Sequence, residues 1–393
     1  MISFDDTRVA FASKTTTELR KAWWLFIMVK NPGIVRVGSV LLNIANSIRL
    51  PLRWVLKSTV FKHFCGGETI EECKETLDKF SDSGIKAVLD YAAEGAQSEK
   101  EFDEARDRIL ATIELSRTNS NIGFAVFKFT GIARFALLEK YGTDENLSKK
   151  ELDEFERVKK RADDICAAAK DAGIPVMIDA EESWIQDAVD EMVEDLMEKY
   201  NKESHVVYHT LQMYRIDKLY YLKKTHEVAG RKGYFPAFKL VRGAYMEKER
   251  ERAQKLSYAS PIHPDKDATD GAFNNAARFC LENIGIIALC IGTHNEISCH
   301  EAVEFMEENG LAPAHEKIHF SQLMGMSDHI SYNLAKVGYN VSKYLPYGPI
   351  RLVMPYLIRR AEENTSVAGQ TGRELFLIKK ELKRRRAERL RNK

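Results

Sequence analysis

Two cations and a tyrosine lie close together in Lys239-Leu240-Val241-Arg242-Gly243-Ala244-Tyr245. The stretch reads as a buried strand that turns at Gly243, and a parallel α/β fold builds its chemistry at such strand ends. A second segment, Tyr356-Leu357-Ile358-Arg359-Arg360-Ala361-Glu362-Glu363-Asn364, has a different rhythm. Tyr356, Arg359, Arg360 and Glu363 stand at i, i+3, i+4 and i+7 and share one helix face. Two adjacent guanidiniums can grip a carboxylate bidentately. From spacing alone, a solvated face laced with salt bridges explains the same residues.

Other polar residues fall where apolar runs finish. Lys128 sits in Phe124–Phe129 on the face of Val126 and Thr130, aimed into a mouth or snorkelling to its rim. Asp179-Ala180-Glu181-Glu182 closes another run; Asp179 is given a functional role and Glu182 a helix-capping one. Gln212 offers an amide that donates and accepts, which suits the edge of a heterocycle. Thr293-His294-Asn295 and Ser321-Gln322 end two further runs, and Tyr344 ends the last one before Pro346-Tyr347-Gly348. A polar turn explains Thr293–Asn295 equally simply.

The elements that must carry these residues follow from periodicity. Residues 1–80 read as a helical extension. Eight candidate strands come next: Ala87–Tyr91, Phe124–Phe129, Pro175–Asp179, Val206–Met213, Ala237–Val241, Ile286–Ile291, Ile318–Leu323 and Val341–Leu345. Amphipathic segments lie between them, including Lys149–Ala172, Ser183–Tyr200, Thr269–Asn283 and His300–Gly310, with C-cap glycines at Gly173 and Gly310. Alternating strands and helices argue for a parallel sheet, and the count of eight fits a closed (β/α)8 barrel over residues 81–375. A doubly wound open sheet is the alternative, but GxGxxG is missing after every candidate strand. Residues 376–393 read as a basic C-terminal helix or tail.

Bulk composition bounds the rest. The 393 residues are 44% hydrophobic and 30% charged, which is a globular balance, and the net charge of +1 gives no case for a nucleic-acid partner. Six cysteines without CxxC pairing read as reduced core thiols, and no His/Cys cluster has the spacing of a metal site. Met1–Asp6 is acidic and resembles neither a signal nor a transit peptide, so a cytoplasmic place is expected. Between Glu18 and Glu68 the charged residues are all basic, among them Lys30, Arg36, Arg49, Arg53 and Lys57, and the C-terminal residues are basic too. Both regions could hold the inner face of an anionic cell membrane, or be solvated helix faces.

Lys239–Tyr245, Ile291–Asn295, Lys343–Gly348 and Tyr356–Asn364, in that order, closely resemble segments of the proline dehydrogenases. Ser260-Pro261-Ile262-His263-Pro264 is similar to the monofunctional, eukaryotic-type branch of that family. The resemblance implies a distorted (β/α)8 TIM-like barrel with its last helix over the mouth, FAD as cofactor, L-proline as substrate and a quinone as electron acceptor. It implies that Arg359 and Arg360, helped by Lys128, pair with the proline carboxylate, and that Leu240, Tyr245, Tyr344 and Tyr356 wall the ring. Asp179 and Lys239 would be the catalytic pair at the flavin; Ala180, Gln212, Arg242, Gly243, Ala244, Thr293, His294, Asn295, Gln322 and Glu363 would contact FAD. Many bacterial members carry Arg and Lys where this chain has Lys239 and Arg242. Relatives that prefer 4-hydroxyproline carry serine where this chain has Tyr344, so the tyrosine favours proline over the sister activity. A flavin-free binding module is the non-enzyme alternative.

Overall fold

The computed structural model describes residues 2–29, 60–92, 96–143, 146–366 and 370–392, without the side chains of residues 29 and 361–371. Eight strands close into a barrel in chain order, every neighbouring pair parallel: β1 (Ile85–Tyr91), β2 (Ile122–Phe127), β3 (Val176–Ile178), β4 (Val207–Gln212), β5 (Ala237–Val241), β6 (Ala288–Gly292), β7 (Ile318–Leu323) and β8 (Val341–Tyr347). The β1–β8 pairing that closes it runs from Ile85↔Val341 to Tyr91↔Tyr347. A parallel pair needs a long crossover, and amphipathic helices supply it at each step. Lys149–Ala172 shows how firmly such a helix is specified. Ser148 and Glu151 form a capping box at its start, and Gly173, at φ +68, ends it in the left-handed conformation.

Strand alternation divides the apolar residues into two cores. The outward set, such as Leu211, Leu240, Leu289 and Phe320, packs beneath the surrounding helices. The inward set fills the barrel: Val88, Phe124, Met177, Tyr208, Cys290 and Tyr344 form one buried cluster. All six cysteines are buried and unpaired.

Helix Ile350–Ser366 leaves β8 and turns back over the barrel mouth. Its Ile350, Val353, Tyr356 and Leu357 pack with Phe61, Phe64, Ala92 and Met326. Gln370–Arg391 follows, burying Leu377 and Ile378 against Phe11, Leu19 and Phe26 of the N-terminal helical segment. That helix is anchored by Glu381, which is fully buried and accepts from Thr7 Oγ1 at 2.9 Å and from Arg384 and Arg385 at 2.7 Å each. The N-terminal helices within residues 2–29 therefore pack against the basic C-terminal helix. Lys30, Arg36, Arg49, Arg53 and Lys57 lie outside the described residues. No helix among the described residues is long and apolar enough to cross a membrane.

Candidate active site

β5 delivers Lys239 into the barrel, in register with Thr210 of β4 and Cys290 of β6. Only 4% of the residue is exposed, and a lysine that deep needs partners. It donates to the carboxylate of Asp179, just past the end of β3, and to the phenol oxygen of Tyr344 on β8. Tyr344 in turn donates to Asp179 at 3.1 Å. The lysine ammonium also stands 4.5 Å from the centre of the Tyr344 ring. Burial, then Asp179, drive the Tyr344 phenol well above its ordinary pKa, so it stays a donor. Tyr344 is the fourth residue of a seven-residue strand, inside the barrel and not at the strand's end as the sequence suggested.

The turn after β5 is shaped by contacts that short-range sequence does not reveal. Gly243 has φ +142, and a Cβ there would lie 2.5 Å from the Tyr214 ring. The next amide, Ala244 N–H, donates to Gln212 Oε1 at 3.1 Å, while Gln212 Nε2 donates to the Glu181 carbonyl at 2.6 Å. Gln212 thus ties the ends of β3, β4 and β5 together beside Ala180. Arg242 sits over Phe273, with 4.5 Å between Cζ and the ring centre, and donates to Asp270 at 2.6 Å, to Ser298 at 2.9 Å and to Thr293 Oγ1. Gln322 donates to the Thr293 carbonyl at 3.1 Å. His294 Nδ1 lies 3.0 Å from Ser327 Oγ. Burial, then the cations Lys343 and Arg360, bring the His294 pKa down to about 3, so the ring is neutral.

The arginine helix reaches this turn from above. Arg359 Cζ stands 6.0 Å from the Tyr245 ring centre, and Arg360 Cζ lies 5.4 Å from that of Tyr356. A cleft of about 610 Å³ opens beside them, lined by Thr130, Glu181, Trp184, Tyr245, Lys248 and Arg359 among others. Burial raises the Glu181 pKa to about 7, although Thr130 donates to its carboxylate.

Several residues depart from the expectations. Leu240 is fully buried in the outer core, in register with Leu211 and Ile291, and points away from the face that carries Lys239. It cannot wall a ring bound in the mouth, because adjacent strand residues face opposite ways. β2 stops at Phe127; Lys128 precedes the short helix Phe129–Ile132, so the alternation with Thr130 does not hold. Lys128 is half-buried, and its charge is one of the smaller influences opposing the burial-driven rise of the Glu181 pKa. Glu182 occupies the N-cap position of Ser183–Tyr200, but its side chain makes no cap bond there; it accepts from Lys248 at 2.7 Å. The cap comes from Glu249, fully buried, whose carboxylate takes the Ser183 N–H at 2.7 Å and its hydroxyl at 2.6 Å. Asn295 caps its own helix, accepting from Ile297 N–H at 2.9 Å. The Glu363 side chain lies outside the described residues. Tyr214, Glu249, Asp270 and Ser298 escaped the sequence reading because each acts only through tertiary contact.

Comparison with known proteins places this geometry. A family model described as proline dehydrogenase matches residues 73–373. Proline dehydrogenase 1, mitochondrial, of Dictyostelium discoideum is 33% identical over 97% of this chain and 74% of that protein. A Xenopus laevis hydroxyproline dehydrogenase is 29% identical over 98% of this chain and 90% of its own length. Among solved structures, proline utilization A of Bdellovibrio bacteriovorus, inactivated by N-propargylglycine, superposes with a TM-score of 0.71 at 20% identity. That match covers 92% of this chain but 38% of the larger protein, and it shows a shared fold. The cytoplasmic placement expected above is overturned: the Dictyostelium relative, like those of Arabidopsis thaliana and Homo sapiens, is mitochondrial by name. The chain is an oxidoreductase and belongs to the proline dehydrogenase family.

Proposed function

We propose that this chain oxidises L-proline to Δ1-pyrroline-5-carboxylate with FAD as its resident cofactor and a quinone as electron acceptor. The observation that carries the reading is the meeting of two distant segments, Arg359 over Tyr245, six residues after the buried Lys239. The cations of the helix would then bind the substrate carboxylate, and the polar cluster of Asp179, Lys239 and Tyr344 would face the flavin.

The donors at the ends of β4, β5 and β6 fit FAD. Gln212, Arg242, Thr293 and neutral His294 would hold it, with Gly243 keeping the turn at the distance that only a missing Cβ permits. A bound FAD supplies a two-electron acceptor for the hydrogen and electron pair leaving substrate C5. The chain's own part is electrostatic and geometric. Arg359 and Arg360 fix the substrate carboxylate and disfavour the ammonium form of the ring nitrogen, which must be neutral to become the imine. Tyr245 and Tyr356 would close the apolar flank of the ring, and positioning of this kind lowers the barrel-site barrier. Lys239, held by Asp179, would place a cation where negative charge grows.

Tyr344 favours proline over 4-hydroxyproline. Its phenol is fixed on Lys239 and Asp179, so it cannot swing aside for a ring hydroxyl. Turnover of both substrates with a soluble quinone tests this reading. Proline is expected to have the higher kcat/KM; a preference for 4-hydroxyproline, or no reduction of quinone, would contradict it.

A membrane-dissolved quinone implies surface contact. Lys379, Lys383 and Arg386 are exposed on one side of the C-terminal helix, while Arg384 and Arg385 turn inward onto Glu381. That cationic stripe suits an anionic bilayer. Sedimentation with anionic liposomes is expected to fall when all three are changed to glutamate; unchanged sedimentation would remove the contact.

A further inference from the structure

Ser327 is strained for a reason. It has φ +51, a left-handed conformation unfavourable for a residue with a Cβ, and its side chain does not cap the helix Asp328–Lys336 that it precedes. The hydroxyl is committed elsewhere, 3.0 Å from His294 Nδ1. The backbone N–H of Ser327 is donated to the carboxylate of Glu374, on the C-terminal helix. Both residues are buried, at 0% and 3% exposure. The same turn is gripped from neighbouring groups. Asp328 accepts from Lys343 at 2.6 Å, His329 meets Glu296 at 2.9 Å, and Arg373 holds that glutamate at 2.7 Å. Residues 373 and 374 therefore fix a turn that presents one hydroxyl to one imidazole.

We propose that Glu374 is a positioning residue for His294: it holds Ser327 left-handed, so that the serine hydroxyl fixes the imidazole through Nδ1 and leaves Nε2 to the bound cofactor. The inference rests on the reading of His294 as an FAD-binding residue. It makes the C-terminal helix, far from the strand ends in sequence, a part of the cofactor site.

Titration of the flavin-depleted full chain with FAD, followed by fluorescence and visible circular dichroism, tests it. Glu374→Ala, Ser327→Ala and His294→Ala are each expected to weaken FAD binding about five- to fiftyfold, the loss of one or two buried hydrogen bonds. Glu374→Gln, whose amide oxygen still accepts, should stay within about threefold of the parent. Ser327→Gly keeps the left-handed turn without the hydroxyl and should lose as much as Ser327→Ala. The double variant Glu374→Ala/His294→Ala should bind no more weakly than His294→Ala alone, since a residue acting through another adds nothing once that other is gone. Losses that multiply, or a Glu374→Ala variant with the parent's affinity and spectrum, would overturn the proposal. Unchanged affinity in His294→Ala would instead remove the underlying reading of His294, and the proposal with it. If Glu374→Ala does not fold, Ser327→Ala and Ser327→Gly decide: parent-like affinity in both overturns the link.

Discussion

Neighbouring residues on a helix point in different directions, and Arg359 and Arg360 exploit this. Arg359 reaches Tyr245 on the turn after β5, while Arg360 lies over Tyr356 of its own helix. In the proposed site, convergence on a carboxylate from two directions would give charge and orientation together. Arg359→Ala and Arg360→Ala are each expected to weaken proline binding by about 1.5–3 kcal/mol, the range for hydrogen bonds to charged groups. The substrate-dependent spectral change, titrated anaerobically, measures that loss; parent-like affinity in both would remove the assignment. The residue types of the candidate site stood out in the sequence at strand ends, but spacing alone left a solvated helix face as an equal explanation for Arg359 and Arg360, and the family resemblance decided between them. The pairing of the site residues was not legible. Nothing local joins Lys239 to Tyr344, or Glu249 to Ser183, since each pair forms only when the barrel closes.

At the scale of the element, the turn Gly243-Ala244-Tyr245 depends on a missing side chain. Gly243 at φ +142 presses on the Tyr214 ring, so any Cβ would meet both strain and a clash. Gly243→Ala should cost at least about 1–3 kcal/mol and lower FAD affinity, because the amide of Ala244 would leave Gln212. A thermal melt with and without FAD reads both effects; an unchanged melt and affinity would contradict the account. Strand periods made eight elements legible, and Ala237–Val241 and Ile318–Leu323 have the limits read from sequence. Errors concentrated at strand ends, where pairing and not periodicity decides. Phe124–Phe129 overran because the apolar Phe129 looks like a continuation of the run, although the chain leaves the strand after Phe127 and enters the helix Phe129–Ile132. Leu240 was misassigned for a related reason: its neighbour Lys239 faces inward, and alternation sends Leu240 outward.

Across the whole molecule, the N-terminal segment is tied to β8 through one carboxylate. Asp328 binds Lys343, which is fully buried, and Lys14 of the N-terminal segment. Burial acts to raise the Asp328 pKa, but the two lysines outweigh it and hold the group well below the usual carboxylate range. A depressed folded pKa contributes stability that is present above the ordinary carboxylate value and is lost as pH falls towards the folded one. Asp328→Ala is expected to destabilise the fold by about 3–5 kcal/mol at neutral pH, since Lys343 is left buried without its carboxylate. Denaturant melts across pH should show the variant's deficit shrinking in acid; a constant deficit would argue against the ion pair as its cause. This closure was invisible in the sequence, where Lys14, Asp328 and Lys343 carry no common pattern.

In the proposed function, a proline site and a flavin site share the mouth of this barrel. An anaerobic absorbance spectrum of the purified protein, before and after L-proline, tests it most directly. Yellow flavin bands that bleach on adding proline are expected. Flavin bands that persist with proline, or no bands even after FAD is supplied, would contradict it.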